Sequence, residues 1–134
     1  MKRLKKVQAS VSAAFLLVSF CQAGNLILIA DSANIETLSK VVARLKTEAL
    51  AAQQKKTNKA GPLNAEYAEA LESSLSDLRV ALPQVIENIA KTKGADVVLE
   101  PAIAAKFALL GENISAEVAR ELDARSAKLR FLAP

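Results

Sequence analysis

The stretch Leu71-Glu72-Ser73-Ser74-Leu75-Ser76-Asp77-Leu78-Arg79-Val80-Ala81-Leu82-Pro83-Gln84-Val85-Ile86-Glu87-Asn88-Ile89 decides the fold. Its apolar residues Leu71, Leu75, Leu78, Leu82, Val85 and Ile89 step alternately by four and three, the spacing of one seam along a helix. The same rhythm runs upstream through Ile35, Leu38, Val42, Leu45, Ala49 and Ala52. Between the two stretches, Ile35–Gln54 and Leu63–Thr92, lies Lys59-Ala60-Gly61-Pro62, a turn signal that a helix does not cross comfortably. The pattern predicts an antiparallel helical hairpin over 34–93, turning near 57–63 and closed by a narrow seam. Burying each seam leucine contributes roughly 1.5–3 kcal/mol. A hairpin this thin leaves no room for a conventional active site.

Helix-end chemistry supports these limits. Asp31, Ser32 and Asn34 are each able to cap the first helix, and Asn64 suits the start of the second. Lys91 and Lys93 favour the negative end of the second helix, and Gly94 suits its left-handed exit. Pro83 removes one hydrogen bond, but the seam continues through it, so a bend is expected and not a break.

Outside the hairpin, Asn25-Leu26-Ile27-Leu28-Ile29-Ala30 and Ala95-Asp96-Val97-Val98-Leu99-Glu100 are short apolar runs with β-branched members, the pattern of buried strands. The segment 102–110 is ambiguous: its alanines favour helix, while Pro101 and Gly111 keep it short. Ser115 is expected to cap a last helix whose apolar face includes Val118, Leu122 and Leu129, with Ile114 and Ala119 as a staple. The fold class is therefore α+β and mainly α, with the hairpin inserted in a small β/α head (24–33 and 94–134). That head is small enough to be marginal alone, so its strands are expected to continue into an intersubunit sheet.

The first 23 residues have the form of a cleavable signal peptide. Lys2, Arg3, Lys5 and Lys6 form a basic start, Val11–Phe20 an apolar run too short to span a bilayer, and Cys21-Gln22-Ala23 a cleavage site. An uncleaved anchor and lipidation at Cys21 are the competing readings. Of 18 basic and 14 acidic residues, four basic ones lie in this segment, so 24–134 is formally neutral and basicity gives no argument for nucleic-acid binding. The same region has no Cys, His or Trp. This removes the usual zinc ligands, cysteine nucleophiles and imidazole acid–base groups, and no cofactor is expected. Export without a disulfide points to the periplasm of a Gram-negative bacterium.

Three passages carry a family likeness. Leu26-Ile27-Leu28-Ile29-Ala30-Asp31 resembles the first strand of the Skp (OmpH) family of periplasmic chaperones. The run from Val85 to Leu99, in which an amphipathic helix end leads through Lys93-Gly94-Ala95-Asp96 into Val97-Val98-Leu99, is similar to that family's most recognisable stretch. Glu112-Asn113-Ile114-Ser115-Ala116-Glu117-Val118 resembles the opening of its last helix. The resemblance implies a homotrimer whose strands form a central body, with hairpins descending around a cavity that holds unfolded outer-membrane proteins without ATP. The hairpin is shorter than is usual in the family, and the tail 125–134 reads as an extension.

Four apolar residues outside the strict seams, Val41, Leu50, Val80 and Ile86, are the candidates for touching a client; their plainer role is to broaden the hairpin core. Lys55, Lys56 and Lys59 form a basic tip, either simply solvated or in weak contact with an anionic membrane surface or acidic client. Glu66, Glu69 and Glu72 are placed to pair with lysines of the opposite helix. The expected function is an ATP-independent holdase for unfolded outer-membrane or envelope proteins. The alternative is a non-catalytic envelope adaptor whose hairpin docks one partner.

Overall fold

The computed structural model describes residues 26–134; the expected signal segment lies outside them. The protein is mainly helical, with a small sheet, as an α+β chain. Strand β1 (Ile27–Ile29) leads into α1 (Ser32–Leu38) and α2 (Lys40–Thr57). The long α3 (Ala65–Lys93) follows, then β2 (Val97–Leu99), α4 (Pro101–Lys106), β3 (Glu112–Asn113) and α5 (Ser115–Arg125).

The first helix of the hairpin is not continuous. Ser39 leaves helical geometry at φ −70° and ψ 125°, ending α1 and capping α2, with its hydroxyl accepting the Val42 N–H at 3.2 Å. Heptad spacing runs through this point without registering it, because side-chain periodicity does not report on backbone breaks. Beyond the break the seam is as expected: Val42, Leu45 and Ala49 are buried, facing Leu71, Leu75, Leu78 and Val85 on α3. Ile35 is also buried, Leu82 and Ile89 are half-buried, and Leu38 points out at 46% exposure. Leu38 is the last residue before the break, so it does not carry the seam onto α2.

Helix α3 continues as one helix through Pro83. Asn64 caps it by accepting the Tyr67 N–H at 2.9 Å. At its far end Gly94, at φ 71°, takes the left-handed turn, and the Ala95 N–H closes onto the Ala90 carbonyl at 2.9 Å. At 1.5 Å rise per residue, α3 is a rod of roughly 44 Å and α2 one of roughly 27 Å.

The sheet has three strands in the order β2-β1-β3, all parallel. Two were expected. The third, Glu112–Asn113, lies just before α5 and carries no β-forming pattern of its own; it is held because Leu28 and Ile29 present the free side of β1. The head therefore completes part of its sheet within one chain. Ser115 does not cap α5 with its side chain: its hydroxyl accepts the Asp31 N–H at 3.0 Å, while Asn113 Oδ1 accepts the Ser115 N–H at 2.9 Å. Ile114, fully buried, donates its N–H to the Ile29 carbonyl at 2.8 Å.

Head and hairpin share a single apolar core. Leu28, Ile114, Val118 and Leu122 from the head join Ile35, Leu45, Leu75, Leu78 and Val85 in one continuous cluster. Helix α5 packs on both α1 and α3, so the base of the hairpin is embedded in the head.

Candidate binding surfaces

Two polar clusters hold the head to the hairpin. The Asp123 carboxylate on α5 accepts the Ser39 hydroxyl at 2.5 Å and the N–H groups of Lys40 and Val41 at 2.9 and 3.2 Å. It thus satisfies N–H groups at the start of α2, where a negative charge also suits the helix dipole. Nothing local in the sequence points to this contact, which spans more than eighty residues. At the carboxyl ends of the strands, Glu100 accepts the Ser32 hydroxyl at 2.5 Å, and Asp31 accepts the Asn34 N–H at 3.2 Å. With the Ser115 and Asn113 bonds above, the polar groups there are engaged with one another and with neighbouring backbone.

Among the ion pairs of the described residues, two cations, Arg79 and Lys93, each contact two carboxylates. Arg79 grips Glu36 through Nε and Nη2 at 2.8 and 3.0 Å and reaches Glu72 at 2.8 Å. The hydrogen bond from Arg79 holds the Glu36 carboxyl below its usual range, and the two carboxylates hold the Arg79 proton more firmly. Lys93 lies 3.2 Å from both Glu112 and Glu117, which raises its pKa. Glu72 therefore pairs within its own helix and not with a lysine opposite; Glu66 and Glu69 form no ion pair among the described residues. Arg79 reaches both Glu36 on α1 and Glu72 two turns earlier on its own helix.

The four residues proposed to touch a client separate in the structure. Val41 is 5% exposed and belongs to the core, because the reset at Ser39 turns it inward beside Val42. Ile86 is half-buried against the same core. Leu50 and Val80 are exposed at 44% and 76%, each with exposed Lys46 and Gln54, or Asp77 and Gln84, a turn away. Single exposed apolar residues of this kind are ordinary surface. Lys55, Lys56 and Lys59 are exposed at the tip as expected. The tip loop itself is fastened by Gln53, which donates to the Pro62 carbonyl at 2.9 Å and accepts the Asn64 N–H at 2.8 Å.

A more concentrated apolar surface lies in the ambiguous segment. Pro101–Lys106 is helical with Pro101 in its first turn, and the chain then turns at Ala108, φ 54°. The Leu109 N–H bonds to the Ala104 carbonyl at 2.8 Å and the Ala108 N–H to the Ala105 carbonyl at 3.1 Å, a Schellman-type exit made without glycine. Ala104 faces inward, while Ile103, Phe107, Leu109 and Leu110 are exposed, Leu110 at 91%. Because α4 ends at Lys106 and the chain turns at Ala108, this stripe follows the chain and is not one helical face, so the four-and-three spacing of Ile103, Phe107 and Leu110 does not report it. It follows directly on β2, an edge strand whose Val97 is also exposed.

The tail is not a loose extension. Leu129 and Phe131 are half-buried against the core, and Phe131 stacks on Tyr67 with ring centroids 6.2 Å apart. Arg44 donates to the Leu129 carbonyl and Glu48 accepts the Phe131 N–H at 3.0 Å. Between tail and α3 an open groove of about 750 Å³ remains.

Among the described residues, no group of His, Cys, Asp and Glu is arranged to hold a metal ion, and no helix is long and apolar enough to cross a membrane. No family model matches the chain, and neither a curated protein nor a solved structure shows significant similarity to it.

Proposed function

We propose that the protein is a non-catalytic, ATP-independent holdase of the periplasm that binds unfolded outer-membrane or other envelope proteins, in the manner implied by its resemblance to the Skp family. The observation that carries this reading is the exposed apolar stripe Ile103–Leu110 directly after edge strand β2. Apolar side chains held outside a completed core, on a segment fastened at both ends, lose little entropy on meeting an apolar partner. Self-association into a homotrimer uses the same edge of the head, where β2 offers unpaired backbone groups. The hairpins then supply spacing between heads more than they supply grip. Without nucleotide, holding works through affinity and mass action alone.

The test is aggregation of a urea-unfolded outer-membrane barrel protein, diluted into buffer and followed by light scattering. At stoichiometric protein, scattering falls without nucleotide; unchanged scattering defeats the proposal. The adaptor reading keeps one support, that the exposed apolar residues are concentrated in one short segment, which suits a single partner. It requires saturable binding of one envelope protein together with inactivity towards unrelated unfolded chains.

A further inference from the structure

We propose that the hairpin face under the C-terminal tail is a peptide-binding groove for an extended segment with apolar side chains at alternate positions and basic residues between them, and that residues 128–132 are its resident, displaceable occupant. Beyond Ser126–Lys128 the chain has no helix or strand, yet it is held by its backbone. Arg44 and Glu48, one turn apart on α2, take the Leu129 carbonyl and the Phe131 N–H respectively. They engage main-chain groups two residues apart, just past the turn in which the Leu129 N–H bonds to the Ser126 carbonyl at 3.0 Å. Such contacts hold a peptide whatever its side chains.

Side chains set the preference. Leu129 and Phe131 turn inward, with Phe131 against the Tyr67 ring, while Arg130 and Leu132 stay exposed. That period of two is how an extended ligand presents itself to a groove. Charge adds a second selection: Glu66, Glu69 and Asp77 line the α3 wall of the opening, and Lys128 and Arg130 its tail wall. The open space of about 750 Å³ lies beside the tail, between it and α3, so a ligand larger than the tail has room along that wall. Being covalently attached, it competes at an effective concentration on the order of millimolar. A ligand in trans must overcome that advantage.

The proposal takes its cellular meaning from the holdase reading, but binding at the groove is measured without it. The probe is a dye-labelled peptide with the sequence of residues 126–134, followed by fluorescence anisotropy. A chain lacking 127–134 is expected to bind it, and the full chain at least about tenfold more weakly. A second peptide that keeps only the apolar and basic positions binds similarly. Replacing both apolar residues by serine abolishes binding, Glu48→Ala in the shortened chain weakens it, and added salt weakens it further. If the shortened chain unfolds by circular dichroism, the full-length double substitution Leu129→Ser, Phe131→Ser frees the groove instead. Failure of a folded, freed groove to bind, equal binding by freed and intact chains, or unfolding of both variants overturns the proposal. Peptide binding without suppression of aggregation defeats the holdase reading alone; suppression without peptide binding defeats the groove alone.

Discussion

The hydroxyl of Ser39 donates to the carboxylate of Asp123 at 2.5 Å, and that one contact joins the break in the hairpin to the last helix of the head. The same carboxylate takes the N–H groups of Lys40 and Val41, so the start of α2 is capped from another element as well as by Ser39 itself.

Asp123→Ala is therefore expected to destabilise the protein by about 2–3 kcal/mol, the range for hydrogen bonds to a charged group at a helix start. Ser39→Ala removes the local cap as well as one Asp123 contact, and should cost about 1–2 kcal/mol. Urea denaturation of each variant and of the double variant checks this. The double variant should fall short of the sum, since both residues act on the same helix end.

Glu36 gives a pH dependence with a definite sign. Its carboxyl is depressed in the folded protein by the hydrogen bond from Arg79, so its contribution is complete above its ordinary 4.5 and is lost as pH falls through the lower folded value. The pair is partly exposed, which keeps the effect small. Melting temperature should fall less steeply below pH 4.5 in Glu36→Gln than in the parent chain. Identical acid limbs would show that Arg79 does not stabilise the folded carboxylate.

Gly111 has no room for a side chain. A Cβ there would lie 2.4 Å from the Ile27 carbonyl oxygen, which belongs to the central strand and cannot swing aside. Gly111→Ala should cost about 1–3 kcal/mol by forcing β3 away from β1. Faster amide exchange at Ile114, whose N–H bonds to Ile29, would report the separation.

Ala108 offers the opposite result. It holds φ 54° at the exit of α4, a conformation that a residue with a Cβ adopts at a cost of roughly 1–2 kcal/mol. Ala108→Gly should stabilise by about 0.5–1 kcal/mol, after allowing for glycine's greater chain entropy. Thermal denaturation reads this directly.

Phe107→Asp and Leu110→Asp address the proposed function. Both side chains are exposed, so stability should change by less than about 0.5 kcal/mol. If the stripe grips clients or neighbouring heads, suppression of aggregation falls at least about tenfold. That corresponds to about 1.4 kcal/mol of lost affinity, the burial of a single apolar side chain. Val80→Asp, which changes an isolated exposed residue, should leave suppression intact.

What the sequence revealed was mostly local. The seam through Leu71, Leu75 and Leu78, the Asn64 cap and the Gly94 exit are each written within a turn or two of helix, and they fall where expected. The break at Ser39 escaped because its strongest partner, Asp123, lies on another element and apolar spacing is indifferent to it. The same break turns Val41 into the core, the plainer of its two readings. Strand β3 was illegible because two residues carry no alternation, and only the vacant side of β1 makes them a strand. The tail did contain its signal, Leu129 and Phe131 two residues apart, but that is a strand-like spacing with no adjacent strand to pair with.

The position of β1 at the centre of the sheet imposes an order of events on folding. Ile27–Ile29 is the first strand in the described chain, yet it pairs only with residues about seventy and eighty-five positions later. Bringing such distant segments together as free chain is slow, because closure entropy is lost before any pairing is gained. Helices α2 and α3 can form and zip from the tip using near neighbours, and in doing so deliver Leu26 and Asp96 to one another, joined by the Asp96 N–H at 2.9 Å from the Leu26 carbonyl. The hairpin thereby shortens the path between strands before the sheet exists. Until Glu112–Asn113 has followed, β1 remains an unsealed apolar strand whose free side is open to pairing with any other extended chain.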